Sequence, residues 1–559
     1  MQKNKSMENY QINRSQRLQK MQQIQAQKNW DLLIIGGGIT GAGIFKLASQ
    51  LGLKALLLEQ KDFAWGSSSR SSKMVHGGLR YMADGQMKLT IESVKQRQKL
   101  LEESQGLVQK QSFVLSHYAQ KFPWPWIFNL LLIGYDFFAG KKQHQYWPKK
   151  HYQFLAPGIQ THQNLGGTQF LDAMTDDARL VYRLIQEGEQ LGNLALNYIK
   201  VQQLKKCDNR VTGVVAKAEE SNDLYELDAK FVINATGAWA NELMASQNKS
   251  FCLRPLRGSH FIVANWRLPV ASAVSVPHPD DKRPVQIFPW QNVTVVGTTD
   301  VEHHKPLSQE PCISPDELAY LLRCVDKQFP TAQIKPQDII STFAGVRPIV
   351  VEEDLQSNAS RQQRHKDQKI VSPSKEKREH SICQQPGLIS IAGGKLTIFN
   401  QIAQEVLAMV FKELNGEAPE FNQTIFEQFD AKKFAGVRPP LSQPMRDRLC
   451  ANYGLLAQDF IQQIEANLLS PISYSLTLWG ELVWALKYEQ IVHLDDLMLR
   501  RSRLGNILPH GGLKEMSRIK NLCQRYLGWN EGQWQHELAR YQSIWKSCYS
   551  LPEPNILTH

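Results

Sequence analysis

The segment between Asp31 and Glu59 does more than any other to limit the folds open to this chain. Leu32-Leu33-Ile34-Ile35 is a short apolar run that stops at Gly36-Gly37-Gly38, as a strand buried on both faces does. Ala42, Ile44, Leu47, Ala48 and Leu51 then recur at helical spacing, and Gly52 closes the helix. Ala55 to Leu58 form a second apolar strand with Glu59 at its end. This is a βαβ unit, which commits the chain to a parallel sheet. Within it, Gly36-x-Gly38-x-x-Gly41 stands where a dinucleotide needs it. Gly36 permits the tight turn, Gly38 lets backbone approach a pyrophosphate, and Gly41 lets the helix pack closely on the strand. The helix N-terminus offers free N–H groups and partial positive charge to the phosphates. Glu59, 23 residues after Gly36, is placed to accept hydrogen bonds from an adenosine ribose.

A second segment favours a flavin dinucleotide over a nicotinamide one. Phe231-Val232-Ile233-Asn234-Ala235-Thr236-Gly237 reads as a strand entering a Thr-Gly turn, the returning strand of a split Rossmann domain. Helices are predicted over Lys88–Glu103 and over Asp177–Gln190, with Asp176 or Asp177 at the N-cap. Strands are predicted at Leu194–Val201, Arg210–Lys217, Tyr225–Ile233, Phe261–Val263 and Asn292–Val296. Residues 352–379 are polar and charged, and are expected to form a long exposed loop. From about residue 430 glycine thins out and apolar residues recur at helical spacing. The expected fold class is α/β. A discontinuous Rossmann-like FAD-binding domain interleaves with a β-sheet substrate domain over 29–429, and an α-helical C-terminal cap domain covers 430–559. Residues 1–28, rich in Gln, Lys and Arg, are expected to be a disordered or loosely helical basic arm.

Composition narrows the function classes. With 42% hydrophobic and 21% charged residues, global disorder, collagen and coiled coil are excluded. No apolar run approaches the roughly 18–20 residues of a membrane-spanning helix. The eight cysteines are scattered without a C-x-x-C pair, so neither a zinc site nor a disulfide framework is expected. With no apolar signal segment at the N-terminus, a reducing, cytoplasmic location is expected. The net charge is +12, of which the arm holds +5. Aromatic and basic residues do not interleave in any nucleic-acid module, so the surplus points to an anionic substrate or membrane.

Beyond Glu59 the chain reads Ser67-Ser68-Ser69-Arg70-Ser71-Ser72-Lys73-Met74-Val75-His76-Gly77-Gly78-Leu79-Arg80-Tyr81. Asp176-Asp177-Ala178-Arg179-Leu180, Asn234-Ala235-Thr236-Gly237 and Arg257-Gly258-Ser259-His260 follow in order. Then come Gly297-Thr298-Thr299-Asp300, Gly345-Val346-Arg347-Pro348, Gly393-Gly394-Lys395-Leu396-Thr397 and Asp495-Asp496-Leu497-x-Leu499-Arg500-Arg501. This ordered set resembles the FAD-dependent glycerol-3-phosphate dehydrogenases and the related glycerol-phosphate oxidases. The resemblance implies oxidation of sn-glycerol 3-phosphate to dihydroxyacetone phosphate with hydride transfer to FAD, followed by delivery of electrons to a quinone. A small dianion beside a flavin calls for converging cations, arginine forks above all. Arg80, Arg347 and Lys395 are the candidates, and Tyr81 can add a hydroxyl. His260 and His76 are the candidate bases; His260 is favoured as base and substrate contact, and His76 is placed beside the flavin. Expected cofactor contacts, besides Gly36, Gly38, Gly41 and Glu59, come from Ser67, Ser68, Ser72, Lys73, His76, Gly77, Gly78, Thr236, Gly237, Gly393 and Gly394. No metal is implied. After Thr397 the family continues Thr-Tyr-Arg, whereas this chain has Ile398-Phe399-Asn400.

Trp124 to Phe138 is aromatic and apolar, with Lys141, Lys142, Lys149 and Lys150 beyond it. It is too short to span a bilayer but suits insertion at an anionic interface. The expected location is therefore the inner face of the cell membrane, with peripheral attachment. Two alternatives stay open: an FAD oxidase using oxygen or another small hydroxy or amino substrate, and a flavin-binding membrane-associated protein without turnover. The oligomeric state, a homodimer included, is also left open.

Overall fold

The βαβ unit seeds the first of two sheets among the described residues. The structure, a computed structural model, describes residues 16–27, 29–79, 82, 85–104, 106–140, 142–244, 251, 253–351, 380–427, 429 and 441–553. Strands are numbered β1 to β18 along the chain. β1 (Asn29–Ile35) pairs in parallel with β2 (Ala55–Leu58), Leu33 opposite Leu56, and with β10 (Leu224–Asn234), Leu33 opposite Val232. The predicted returning strand therefore lies beside the dinucleotide strand. β18 (Leu388–Gly393) extends the parallel order beyond β10, and β7 (Leu194–Leu196) extends it beyond β2. β17 (His380–Gln385), β8 (Ile199–Cys207) and β9 (Arg210–Ala218) add antiparallel strands. The helices Ile39–Gln50, Asp177–Gln190 and Phe399–Asn415 bury their apolar faces on one side of this sheet.

On the other side, part of the arm expected to be disordered or loosely helical is a packed helix. Residues 16–26 are helical, with Ile24 fully buried and Met21 packed beside it against β8, β9 and β10. Arg17 donates to Asn197 Oδ1 at 2.8 Å, and Lys20 meets Glu189 at 2.5 Å. Two aliphatic side chains among many polar ones suffice once a sheet offers a surface to cover; the other expected arm residues lie outside the described residues.

The second sheet is almost wholly antiparallel. β11 (Leu253–Ala264) pairs with β16 (Ile339–Val350), β14 (Val293–Gly297) and β15 (Val301–Glu302). The order continues through β13 (Pro284–Trp290) and β12 (Ala273–Pro277) to β4 (Val108–Tyr118), β6 (Asn164–Thr175) and β3 (Met74–Val75), with β5 (Gln145–Pro148) on β6. β11 is longer than its predicted core Phe261–Val263 because its first half is polar. The predicted strand Leu194–Val201 is broken in two at Tyr198, which adopts φ +56°. That turn buries the ring and aims its hydroxyl at Asp496, 2.7 Å away.

The C-terminal part is helical, with long helices at Gln443–Tyr453, Trp479–Tyr488, Met516–Tyr526 and Glu531–Cys548. The expected boundary at 430 and the expected loop 352–379 lie outside the described residues. One π-helical turn, Asp496–Arg501, joins this part to the first sheet. Arg500 reaches Asp62 at 2.6 Å, and Arg501 holds both oxygens of Asp62 at 2.8 Å. Burial drives the Asp62 carboxyl upward, but Arg501 and Arg500 together outweigh it and hold the group below its ordinary range. The structure also corrects the expectation of no disulfide: Cys312 and Cys548 are bonded, with Cα atoms 4.3 Å apart. A separation of 236 residues offers no spacing cue; only docking of the last helix brings the pair together.

Candidate functional site

The two sheets enclose one large cavity of about 890 Å³ that runs from the glycine turn after β1 to the helix Pro125–Ala139. At its first end Gly36 adopts φ +109°, and a Cβ there would stand 2.6 Å from the carbonyl oxygen of Ala235. A Cβ on Gly41 would stand 1.9 Å from the Gly36 carbonyl oxygen. Only glycine therefore lets strand, turn and helix close on each other here. The Glu59 side chain closes the turn from the other strand, accepting from Gly37 N at 2.7 Å and Lys61 N at 2.8 Å. Burial raises its pKa, against the pull of these N–H groups. Ser68 Oγ accepts from Ile39 N at 3.0 Å, and the Ser67 hydroxyl donates to the Val346 carbonyl.

Most of the expected cofactor contacts lie on this wall: Gly36, Gly38, Glu59, Ser67, Ser68, Ser72, His76, Gly78, Thr236, Gly237, Gly393 and Gly394. Three are off the lining: Gly41, which serves the helix packing just described, and two with other duties. The Lys73 ammonium is buried away from the lining, 2.8 and 2.9 Å from the Asp177 carboxylate and 2.7 Å from the Ser69 carbonyl. Burial pulls its pKa down to about 8, with Asp177 opposing. Gly77 is also off the lining. Its N–H donates to Asp172 at 3.0 Å, and a Cβ would stand 2.1 Å from the Tyr135 hydroxyl. Its smallness serves that packing rather than approach to a ring. Arg97 completes the cluster, donating to Asp172 at 2.7 Å and to the Tyr135 hydroxyl at 2.9 Å.

Arg347 and Lys395 both line the middle of the cavity. Arg80 and Tyr81 lie outside the described residues. Arg347 stands 3.2 Å from Asp300 and donates to Thr298 Oγ1 at 3.1 Å. His260 sits just behind the wall, 1% exposed, its ring stacked on Phe343 at 4.5 Å. Its Nε2 meets the Ser72 hydroxyl, on the lining, at 2.9 Å. Burial lowers its pKa well below the usual value, and the nearby charges of Arg347 and Lys73 add to this. His260 is therefore a neutral imidazole at neutral pH. Ile398, Phe399 and Asn400, the departure from the family pattern, are buried off the lining. Phe399 packs over Gly43 of the dinucleotide helix.

Sequence reasoning missed the far end of the cavity, which Phe113, Leu115, Phe122, Ile127, Leu131 and Phe170 make apolar. No motif marks it, because its side chains come from three separate elements and a loop. It lies under the helix Pro125–Ala139, whose inner face buries Phe128, Leu132 and Tyr135. The outer face carries Trp126, Leu130, Ile133 and Phe137, each between 57% and 80% exposed.

An elongated cavity with a glycine turn, a helix N-terminus and a carboxylate at one end fits a dinucleotide carrying a large planar ring system. Comparison with known proteins agrees. Residues 31–395 match the family described as FAD dependent oxidoreductase, and residues 389–534 match the C-terminal domain of alpha-glycerophosphate oxidase. The chain is 30% identical over 502 residues to an aerobic glycerol-3-phosphate dehydrogenase of Staphylococcus haemolyticus, covering 85% of this chain and 87% of that protein. Among solved structures, the glycerol-3-phosphate dehydrogenase from Bacillus halodurans complexed with FAD superposes with a TM-score of 0.73 at 24% identity, covering 96% of this chain and 98% of that one. The L-alpha-glycerophosphate oxidase from Mycoplasma pneumoniae with FAD bound follows at 0.53 and 18%, covering 72% and 99%.

Proposed function

This chain belongs to the FAD dependent oxidoreductases, in the family of the aerobic glycerol-3-phosphate dehydrogenases, and from that membership we propose that it oxidises sn-glycerol 3-phosphate to dihydroxyacetone phosphate and passes the electrons to a membrane quinone. The observation that carries the proposal is one cavity with a dinucleotide cradle at one end, cations in the middle with a buried histidine behind Ser72, and an apolar chamber at the other end.

FAD, when bound, supplies the acceptor for the hydride leaving C2 of the substrate and the route by which the electron pair reaches the quinone. The protein's own groups do the rest. Arg347 and Lys395 hold the phosphate, with Arg80 and Tyr81 as further candidates. The C2 hydroxyl would face Ser72 on the wall, and its proton would pass to the Ser72 oxygen as the Ser72 hydroxyl gives its own proton to His260 Nε2, 2.9 Å behind it. A base must be unprotonated before the reaction, and the buried position of His260 between cations keeps it so. His76, on the lining beside Gly78, would be among the residues that hold the flavin. Phe343 under the His260 ring keeps water from its far side.

The apolar chamber suits the head of a quinone, and the exposed apolar helix face above it suits a bilayer surface. Lys142, Lys149 and Lys150 stand close by in the chain, where they can meet anionic headgroups. Among the described residues no helix is long and apolar enough to cross a membrane, so attachment is proposed as peripheral, on the inner face of the cell membrane. Stopped-flow absorbance tests the substrate: glycerol 3-phosphate should bleach the flavin of the purified protein. No bleaching at millimolar concentration sinks the proposal. Turnover with a soluble quinone should exceed oxygen consumption; the reverse result identifies an oxidase.

A further inference from the structure

The hairpin of β12 and β13 carries none of the family motifs, yet its turn brings Arg283 to the wall of the same cavity. Asp300 accounts for its position. The Asp300 side chain is 1% exposed, and its two oxygens serve two guanidiniums. Oδ1 lies 3.2 Å from Arg347 and Oδ2 lies 3.0 Å from Arg283. Neither arginine is sealed in: their side chains are 26% and 27% exposed, and both line the cavity.

Other arginines nearby are committed differently. Arg257 is off the lining, with two of its nitrogens 2.7 and 3.1 Å from Glu317. Arg70 lines the cavity but is buried against Glu310, the Tyr549 hydroxyl and the Trp65 carbonyl. Arg283 and Arg347 differ in sharing a single carboxylate. Like charges this close are tolerable when a buried anion sits between them, and more so when a second anion arrives. A phosphate monoester dianion has anionic oxygens enough for both guanidinium forks, and a phosphate-free polyol has none to offer them. Gln286, two strand positions into β13 and on the same wall, donates to Ser275 Oγ at 3.0 Å.

We propose that Arg283 is a second phosphate-binding residue, held beside Arg347 by Asp300, and that this pair sets the preference for a phosphorylated polyol over its phosphate-free counterpart. The proposal rests on the substrate given above. The test uses the FAD-loaded enzyme and follows flavin bleaching against glycerol 3-phosphate and, separately, against glycerol. For Arg283→Gln the dissociation constant for glycerol 3-phosphate should rise about 10- to 100-fold, the loss of one charge-assisted contact. The limiting bleaching rate should change by less than about threefold, since uniform binding is what is lost. The weak response to glycerol should stay as in the wild type. Arg283→Lys, which keeps the charge without the fork, should fall between the two.

A wild-type dissociation constant in Arg283→Gln, or an equal loss with glycerol, overturns the role of Arg283. If Arg283→Gln does not fold, a wild-type constant in Arg283→Lys overturns it alone. A wild-type flavin that glycerol 3-phosphate does not bleach removes the substrate itself, a different failure read in a different sample.

Discussion

His260 shows how far a single residue type can be read before its surroundings are known. The Gly-Ser-His motif marked it as a candidate base, and the structure adds that it is neutral, buried and in contact with Ser72 rather than exposed on the lining. Its lowered pKa has a consequence. Because the basic form already dominates below the usual value near 6.5, the free-enzyme profile of kcat/KM should keep its acid limb below pH 6.5. Stopped-flow reduction from pH 5 to 8 checks this, and an acid limb above pH 7 would assign the proton elsewhere. Arg347→Ala should lower kcat/KM for glycerol 3-phosphate by about 100-fold or more, the cost of a charged contact to phosphate lost in a partly dry site. Lys73 was less legible. Its place in the motif suggested the cofactor, whereas its ammonium is fixed on Asp177, a partner 104 residues away that no local pattern announces.

At the scale of elements, periodicity was most informative where one apolar face meets one surface. The helix Asp177–Gln190 has the predicted bounds, with Asp176 at its N-cap accepting from Arg179 N. β1, β2 and the end of β10 at Phe231–Ile233 were legible because strands buried on both faces leave unbroken apolar runs. The segment 16–26 escaped because its seam is only Met21 and Ile24, and the apolar chamber escaped because sheet topology assembles it. The helix Pro125–Ala139 lies between these cases: its sequence announced an apolar segment but not which side would be free. Trp126, Leu130, Ile133 and Phe137 follow one another at three- and four-residue steps along the outer face. Replacing Trp126 and Phe137 by Ser should weaken binding to anionic liposomes by about tenfold or more, since each large apolar side chain withheld from lipid forfeits roughly 1.5–3 kcal/mol, while thermal stability stays near wild type. Co-sedimentation reads the first and calorimetry the second; unchanged sedimentation would sink this face as the lipid contact.

For the whole molecule, the join between the first sheet and the helical domain rests on buried charge. Arg500 bonds Asp62, Asp495 and Asp496, and Arg501 bonds Asp62. Removing Asp62 leaves two buried guanidiniums short of a partner, so Asp62→Ala should cost about 3–5 kcal/mol, read as a fall in the thermal midpoint. The acid limit has the same origin. Burial pushes the Asp495 carboxyl up, but Arg500 and Arg540 prevail and hold it at about 2, below the roughly 3.9 of an unfolded chain. Its contribution is present above that unfolded value and disappears as pH falls toward 2. Unfolding monitored by intrinsic fluorescence should show the helical domain loosening in this window. The Asp-Asp-Leu motif was visible in the sequence; its partner Asp62, 438 residues from Arg500, was not.

Asp62 lies three residues beyond Glu59, on the same short turn. On the proposed reading, in which Glu59 holds the adenosine end of FAD, that grip would also steady the anchor of the helical domain. The cofactor would then act as a rivet between two parts of the chain. Stripping it should lower the melting temperature and split one cooperative transition into two, and adding it back should fuse them again, by mass action on the folded form.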